Sequence, residues 1–172
     1  MIASCPQIFT WVQQIRALLP KLFLLPPSKL EIDSLYSQKL DVGATSVCIQ
    51  ITTNTVYKLR RPVLIEWGIR QTKINWHVRI ACAQRNRVKL WTACEYLSIP
   101  PESISLIVLA VQPNNPAHKL VIKWNQKQHQ ETPQWLINIL DKEPTGDRSN
   151  HSGTRLLSEY ILALDDIEEV AI

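Results

Sequence analysis

Between residues 7 and 25 apolar side chains recur at spacings of three and four, with Ile8, Trp11, Val12, Ile15, Leu18, Leu19 and Leu22 on one stripe. That is the pattern of a helix laying one face on a core. Pro20 predicts its kink or its end. Pro26-Pro27 opens a connector, and Leu30 to Leu40 reads as a second short helix or turn. From Val42 the pattern changes. Ser46 to Thr52 and Thr55 to Leu59 are rich in β-branched residues around Thr53-Asn54, which reads as a hairpin over 46–59.

Strict period two follows. Val63, Ile65, Trp67 and Ile69 alternate with Glu66, Gly68 and Arg70, and Ile74, Trp76, Val78, Ile80 and Cys82 alternate with Asn75, His77 and Arg79. Joined by Gln71-Thr72-Lys73, they predict a second hairpin over 63–83 with Trp67 and Trp76 on its buried face. A rival reading makes 73–98 one long helix. Residues 86–98 read as a helix with Leu90, Trp91, Cys94 and Leu97 on one face, ended by Pro100-Pro101.

Ser105 to Val111 is almost continuously apolar, as in a strand covered on both faces, and Lys119 to Trp124 returns as its partner in a third hairpin over 105–124. A helix over 132–141 packs through Trp135, Leu136, Ile139 and Leu140, with Thr132-Pro133 as its cap and first position. The fold class is therefore α+β, a mainly antiparallel sheet packed with helices. One domain spans 1–141, a polar, breaker-rich linker spans 142–154, and 155–172 form an acidic amphipathic helix. Its apolar side, Leu156, Tyr160, Leu164 and Ile167, is a candidate partner-binding face.

Composition narrows the function classes. At 172 residues, 45% hydrophobic and 20% charged, the chain has the make-up of an ordinary globular protein. Its four glycines are too scattered to cradle a phosphate, and its four cysteines and four histidines lack zinc-site spacing. No cofactor or metal is expected. The first residues show no secretory pattern, and the most apolar run, Leu18 to Leu25, carries Pro20 and Lys21. That run is too short to cross a bilayer, so no membrane partner is expected. With no disulfide framework indicated, the compartment reads as reducing and cytoplasmic.

Charge adds a second layer. The net value is only +4, yet Lys58, Arg60, Arg61, Arg70, Lys73, Arg79, Arg85, Arg87 and Lys89 face one acid, Glu66, between residues 58 and 91. That stretch carries +8 and the remainder −4. With His77, these bases are the candidate nucleic-acid-binding residues, because clustered arginines contact phosphates in bidentate fashion. A solvated face, or pairing with the acidic segment, explains the same charges without a ligand. The six tryptophans read mainly as core, with Trp124, and Tyr57 beside Lys58, as the expected exposed aromatics.

Catalytic signatures are sparse. Cys82 and His77 fall on opposite faces of a strand, Cys94 lies on an apolar helix side, and His129 has only Glu131 as an acid neighbour in sequence. The order of meander, helix, apolar strand, returning strand and helix resembles the carboxyl-terminal half of PD-(D/E)xK nucleases. The signature is absent: Gln71-Thr72-Lys73 is at most a degenerate QxK, with Asp41 the one upstream acid to pair with it. The topology is generic and identifies no family. The expectation is a non-catalytic binding or adaptor module, with DNA or RNA the favoured partner and the acidic helix a regulatory element. The alternatives are a protein–protein assembly or regulatory factor, and a degenerate PD-(D/E)xK-like scaffold.

Overall fold

The alternation that begins at Val47 does not stop at Thr53-Asn54. In the computed structural model, which describes residues 6–58, 61–69, 84–111 and 116–141, Thr45–Lys58 form one strand, β2. Ile49, Ile51, Thr53 and Thr55 are buried on one side of it, and Cys48, Gln50 and Thr52 are exposed on the other. Its hairpin partner is β1, Leu30–Val42, where the sequence reads as helix or turn. The turn lies instead at Gly43-Ala44, between the paired residues Val42 and Thr45. Gly43 takes φ +59° there, a conformation that costs glycine nothing. β1 hides its strand character because it is an edge strand whose polar residues interrupt the alternation and whose ladder slips between Glu31 and Ser34. Asp33 sits in that bulge at φ 53°, and its N–H donates to Asn54 Oδ1 at 3.2 Å.

β3, Arg61–Ile69, completes an antiparallel meander with β2. Its other edge pairs with β4, Ser105–Val111, in parallel, Val63 beside Ser105 through Ile69 beside Val111. β5, His118–Lys123, closes the order β1-β2-β3-β4-β5 antiparallel to β4, as the third expected hairpin requires. The return strand expected over 74–83 lies outside the described residues, and both edges of β3 are taken by β2 and β4. The class is α+β with a mostly antiparallel sheet, the β3–β4 pair being its one parallel junction among the described strands.

Three helices among the described residues sandwich this sheet. α1, Pro6–Leu18, ends before Pro20 and passes into a 3-10 turn over Pro20–Leu24. Ile15, Leu18, Leu19 and Leu22 cover Val56, Ile65 and Leu109 on one face. The other face carries the larger core. There Ile49, Leu64, Leu106 and Val108 meet α2, Gln84–Leu97, and α3, Gln126–Asp141, through Val88, Leu90, Trp91 and Leu136. Leu64, Leu90, Leu106 and Leu136 lose all their solvent exposure, each worth about 1.5–3 kcal/mol of burial.

α2 stops because Ser98 turns left-handed at φ 51°, so that Ile99 N bonds Cys94 O at 3.2 Å and Ser98 N bonds Glu95 O at 3.1 Å. α3 starts six residues before the expected Thr132. Asn125 Oδ1 accepts from Gln128 N at 2.9 Å, Glu102 Oε1 accepts from Gln126 N at 3.1 Å, and Pro133 is carried inside the helix. Among the described residues no helix is long and apolar enough to cross a membrane.

Candidate nucleic-acid interface

The basic stretch is divided between the two ends of the sheet. Lys58 and Arg61 stand opposite one another where β2 passes into β3, both exposed, with Arg60 outside the described residues. Arg85, Arg87 and Lys89 lie in the first two turns of α2. That helix begins near the far end of β3, because Lys89 reaches Glu66 close to the strand's last residue. From Arg61 to Glu66 the strand advances about 16 Å. The described bases therefore form two groups, not one patch. Arg70, Lys73, His77 and Arg79 belong to residues 70–83, which join β3 to α2 and lie outside the described residues.

Within the α2 group the three charges have different fates. Lys89 Nζ pairs with Glu66 Oε1, both side chains largely withdrawn from water. Burial lowers its ammonium from 10.5 to about 8. Arg87 Nε donates to Thr132 Oγ1 at 2.9 Å, and its guanidinium lies 4.8 Å from the centre of the Trp135 ring, a clamp between α2 and α3. Desolvation lowers the Arg87 pKa, with Glu131 opposing. Arg85 is different. Its Nε is buried without a hydrogen-bond partner among the described residues, in a first helical turn that contains no acid.

A polar seam runs from this point across the sheet. Thr53 on β2 is the next position after the pair Asn54 and Ile65, which sets it beside Glu66. Its hydroxyl and that of Thr92, one turn beyond Lys89, are both buried and unpartnered among the described residues. Further along, the Tyr36 and Thr55 hydroxyls bond at 2.6 Å, and the Tyr36 ring packs against Tyr96 at 5.2 Å. Tyr57 donates to Glu31 Oε2 at 3.1 Å. Burial first, then Tyr36 and Glu31, hold its hydroxyl protonated well above the usual phenol range.

Two aromatic expectations reverse. Trp67 is 59% exposed on the α1 side of the sheet, although Leu109 beside it on β4 is buried there. Trp124 is buried at 4%, and its Nε1 donates to His129 Nδ1 at 3.3 Å. With Nδ1 accepting, Nε2 carries the proton and donates to Glu95 Oε1 at 2.6 Å. His129 thus finds its acid on α2, not in the adjacent Glu131. Both ring nitrogens are engaged, which makes this trio a fastening between α2 and the start of α3.

Asp41, the acid proposed to pair with Lys73, is exposed at the end of β1 and accepts from Ser46 Oγ at 2.6 Å. It stands seven strand positions beyond Ser34, the neighbour of Thr53, or about 23 Å from the Glu66 row. Among the described residues no three His, Cys, Asp or Glu side chains stand together as metal ligands. Leu156, Tyr160, Leu164 and Ile167 lie outside the described residues.

No family of known proteins matches the chain in sequence, and no curated protein does so either. Solved structures match it in fold. One is the crystal structure of SSO0001, with a TM-score of 0.51 and 10% identity over 78% of this chain. The match takes in 61% of that chain, so the present sequence spans less than two thirds of it. The likeness is one of fold.

Proposed function

We propose that the chain is a non-catalytic, cytoplasmic nucleic-acid-binding module that engages phosphates where β3 crosses over to α2. Arg85 carries this reading: its Nε is buried, unpartnered among the described residues, and set in an acid-free first turn of a helix whose amino end favours anions. Its helix begins near the carboxyl end of β3, since Lys89 one turn on reaches Glu66. The connecting residues supply Arg70, Lys73, His77 and Arg79. Lys58 and Arg61 form a second contact at the opposite end, and Arg87 and Lys89 serve the fold.

The test is binding of short single- and double-stranded oligonucleotides across a salt series. The expected result is affinity that falls log-linearly with salt, and a shallower slope in Arg85→Glu and in Arg70→Glu. Absence of binding at about 50 mM salt, where non-specific phosphate contacts register, overturns the reading and favours a protein partner.

A second reading rests on Glu66. A carboxylate on the third strand of a meander, followed by a helix and a parallel strand, fits a degenerate PD-(D/E)xK-like scaffold. It requires Mg²⁺- or Mn²⁺-dependent cleavage that Glu66→Gln and Lys73→Ala abolish.

A further inference from the structure

Part of the α1 layer is apolar and exposed, even though Ile8 and Val12 belong to the stripe expected on the core. Ile8, Phe9 and Val12 on α1 are 56%, 68% and 43% exposed, and the following 3-10 turn adds Phe23 at 44% and Leu24 at 79%. Arg16 stacks on the Phe23 ring at 5.7 Å, which makes helix and turn one continuous surface. Half of the large exposed apolar side chains among the described residues fall in this short segment. Such concentration marks a docking surface. Its charge is one-sided: residues 6–30 hold Arg16, Lys21 and Lys29 and no Asp or Glu.

We propose that residues 155–172 of this same chain dock on that face. Leu156, Tyr160, Leu164 and Ile167 supply the apolar side, and Glu159, Asp165, Asp166, Glu168 and Glu169 meet the three bases at its rim. Reach is no obstacle, because residues 142–154 can span up to about 43 Å, whereas a domain of this length has a radius of gyration of about 16 Å. The basic stretch over 58–89 is the poorer seat for the same acids. Lys89 already has Glu66, Arg87 is clamped on Trp135 and Thr132, and the uncovered apolar side chains cluster on α1 and its turn. The inference stands independently of nucleic-acid binding.

Zero-length carbodiimide cross-linking of the full chain tests it, because the lysines compete in one experiment. The expected products join Lys21 or Lys29 to the acids of 159–169 within one molecule, at a yield unaffected by dilution. Phe9→Asp or Leu24→Asp should lower that yield about tenfold, the loss expected from charging one large side chain of a docked apolar face. Both side chains are mostly exposed, and circular dichroism checks that the fold survives. Cross-links from these acids to Lys58, Lys73, Lys119 or Lys123 instead overturn the proposal. So do products that form only between copies, no product at all, or a yield indifferent to Phe9→Asp.

Discussion

Glu66 on β3 and Lys89 in the second turn of α2 form an ion pair between sheet and helix, across 23 positions of sequence. It consumes the only acid of the basic stretch and one of its lysines. Glu66→Gln strands a half-buried ammonium and should cost about 1–3 kcal/mol, less than the loss from a fully buried pair because some solvent reaches both groups. Lys89→Met should cost a similar amount, and the double variant less than the two together. Urea titrations of the four proteins measure the coupling.

The same lysine sets a pH dependence. Burial brings its pKa in the folded chain to about 8 against 10.5 ordinarily, so between those values the unfolded chain holds a proton the folded chain has released. Stability from this group therefore rises as pH goes from 8 to 10.5 and is lost again as pH falls back through 8. Unfolding midpoints across that window should show the rise in the parent protein and lack it in Lys89→Met.

What the sequence could reveal of this arrangement was limited by distance along the chain. Locally periodic elements were legible: α1 to its stop at Pro20, α2, β3, and the hairpin of β4 with β5. β1 was not, since an edge strand half open to solvent has no need of strict alternation, and Tyr36 and Leu40 are separated by polar residues. Thr53-Asn54 looked like a turn because both residue types favour turns, yet the strand passes through them with Thr53 buried under α2. Pairings such as Glu66 with Lys89, His129 with Glu95 and Arg87 with Trp135 leave no mark in spacing. The charge run was visible, but its division between two ends of the sheet depends on the direction of β3.

Cys94 and Cys48 should separate cleanly in their chemistry. Cys94 is 1% exposed and donates to Ile99 O at 3.0 Å; burial, with Glu95 and Glu102 adding, raises its thiol to about 11. Cys48 is exposed on β2. A thiol reagent applied near neutral pH should modify Cys48 in the native protein and Cys94 only after denaturant, as read by peptide mass mapping. Comparable native labelling of both would contradict the packing of α2.

Arg87 and Arg85, two positions apart on α2, should give opposite phenotypes. Arg87→Ala removes the bond to Thr132 and the stack on Trp135 and should cost about 1–2 kcal/mol, with Arg87→Lys a partial rescue at best because an ammonium lacks the planar fork. Arg85→Ala removes an uncompensated buried donor and should leave thermal stability unchanged or raise it by up to about 1 kcal/mol while weakening oligonucleotide binding. Thermal denaturation paired with a binding isotherm on each variant reads both effects.

Thr53 and Thr55 point to the same side of β2, yet the same substitution should act on them with opposite sign. The Thr53 hydroxyl is buried with no partner among the described residues, so Thr53→Val removes an uncompensated polar atom at constant shape. It should be neutral or stabilise by up to about 1 kcal/mol. The Thr55 hydroxyl is bonded to Tyr36 at 2.6 Å with the threonine fully buried, so Thr55→Val removes that bond, leaves the Tyr36 hydroxyl to Tyr57, and should cost about 0.5–1.5 kcal/mol. Tyr36→Phe combined with Thr55→Val removes both partners and should recover part of that loss. Urea midpoints decide the matter: destabilisation by Thr53→Val comparable to that of Thr55→Val would mean that the first hydroxyl has a partner within the seam, a bridging water held between Glu66 and Thr92 being the chemistry to look for.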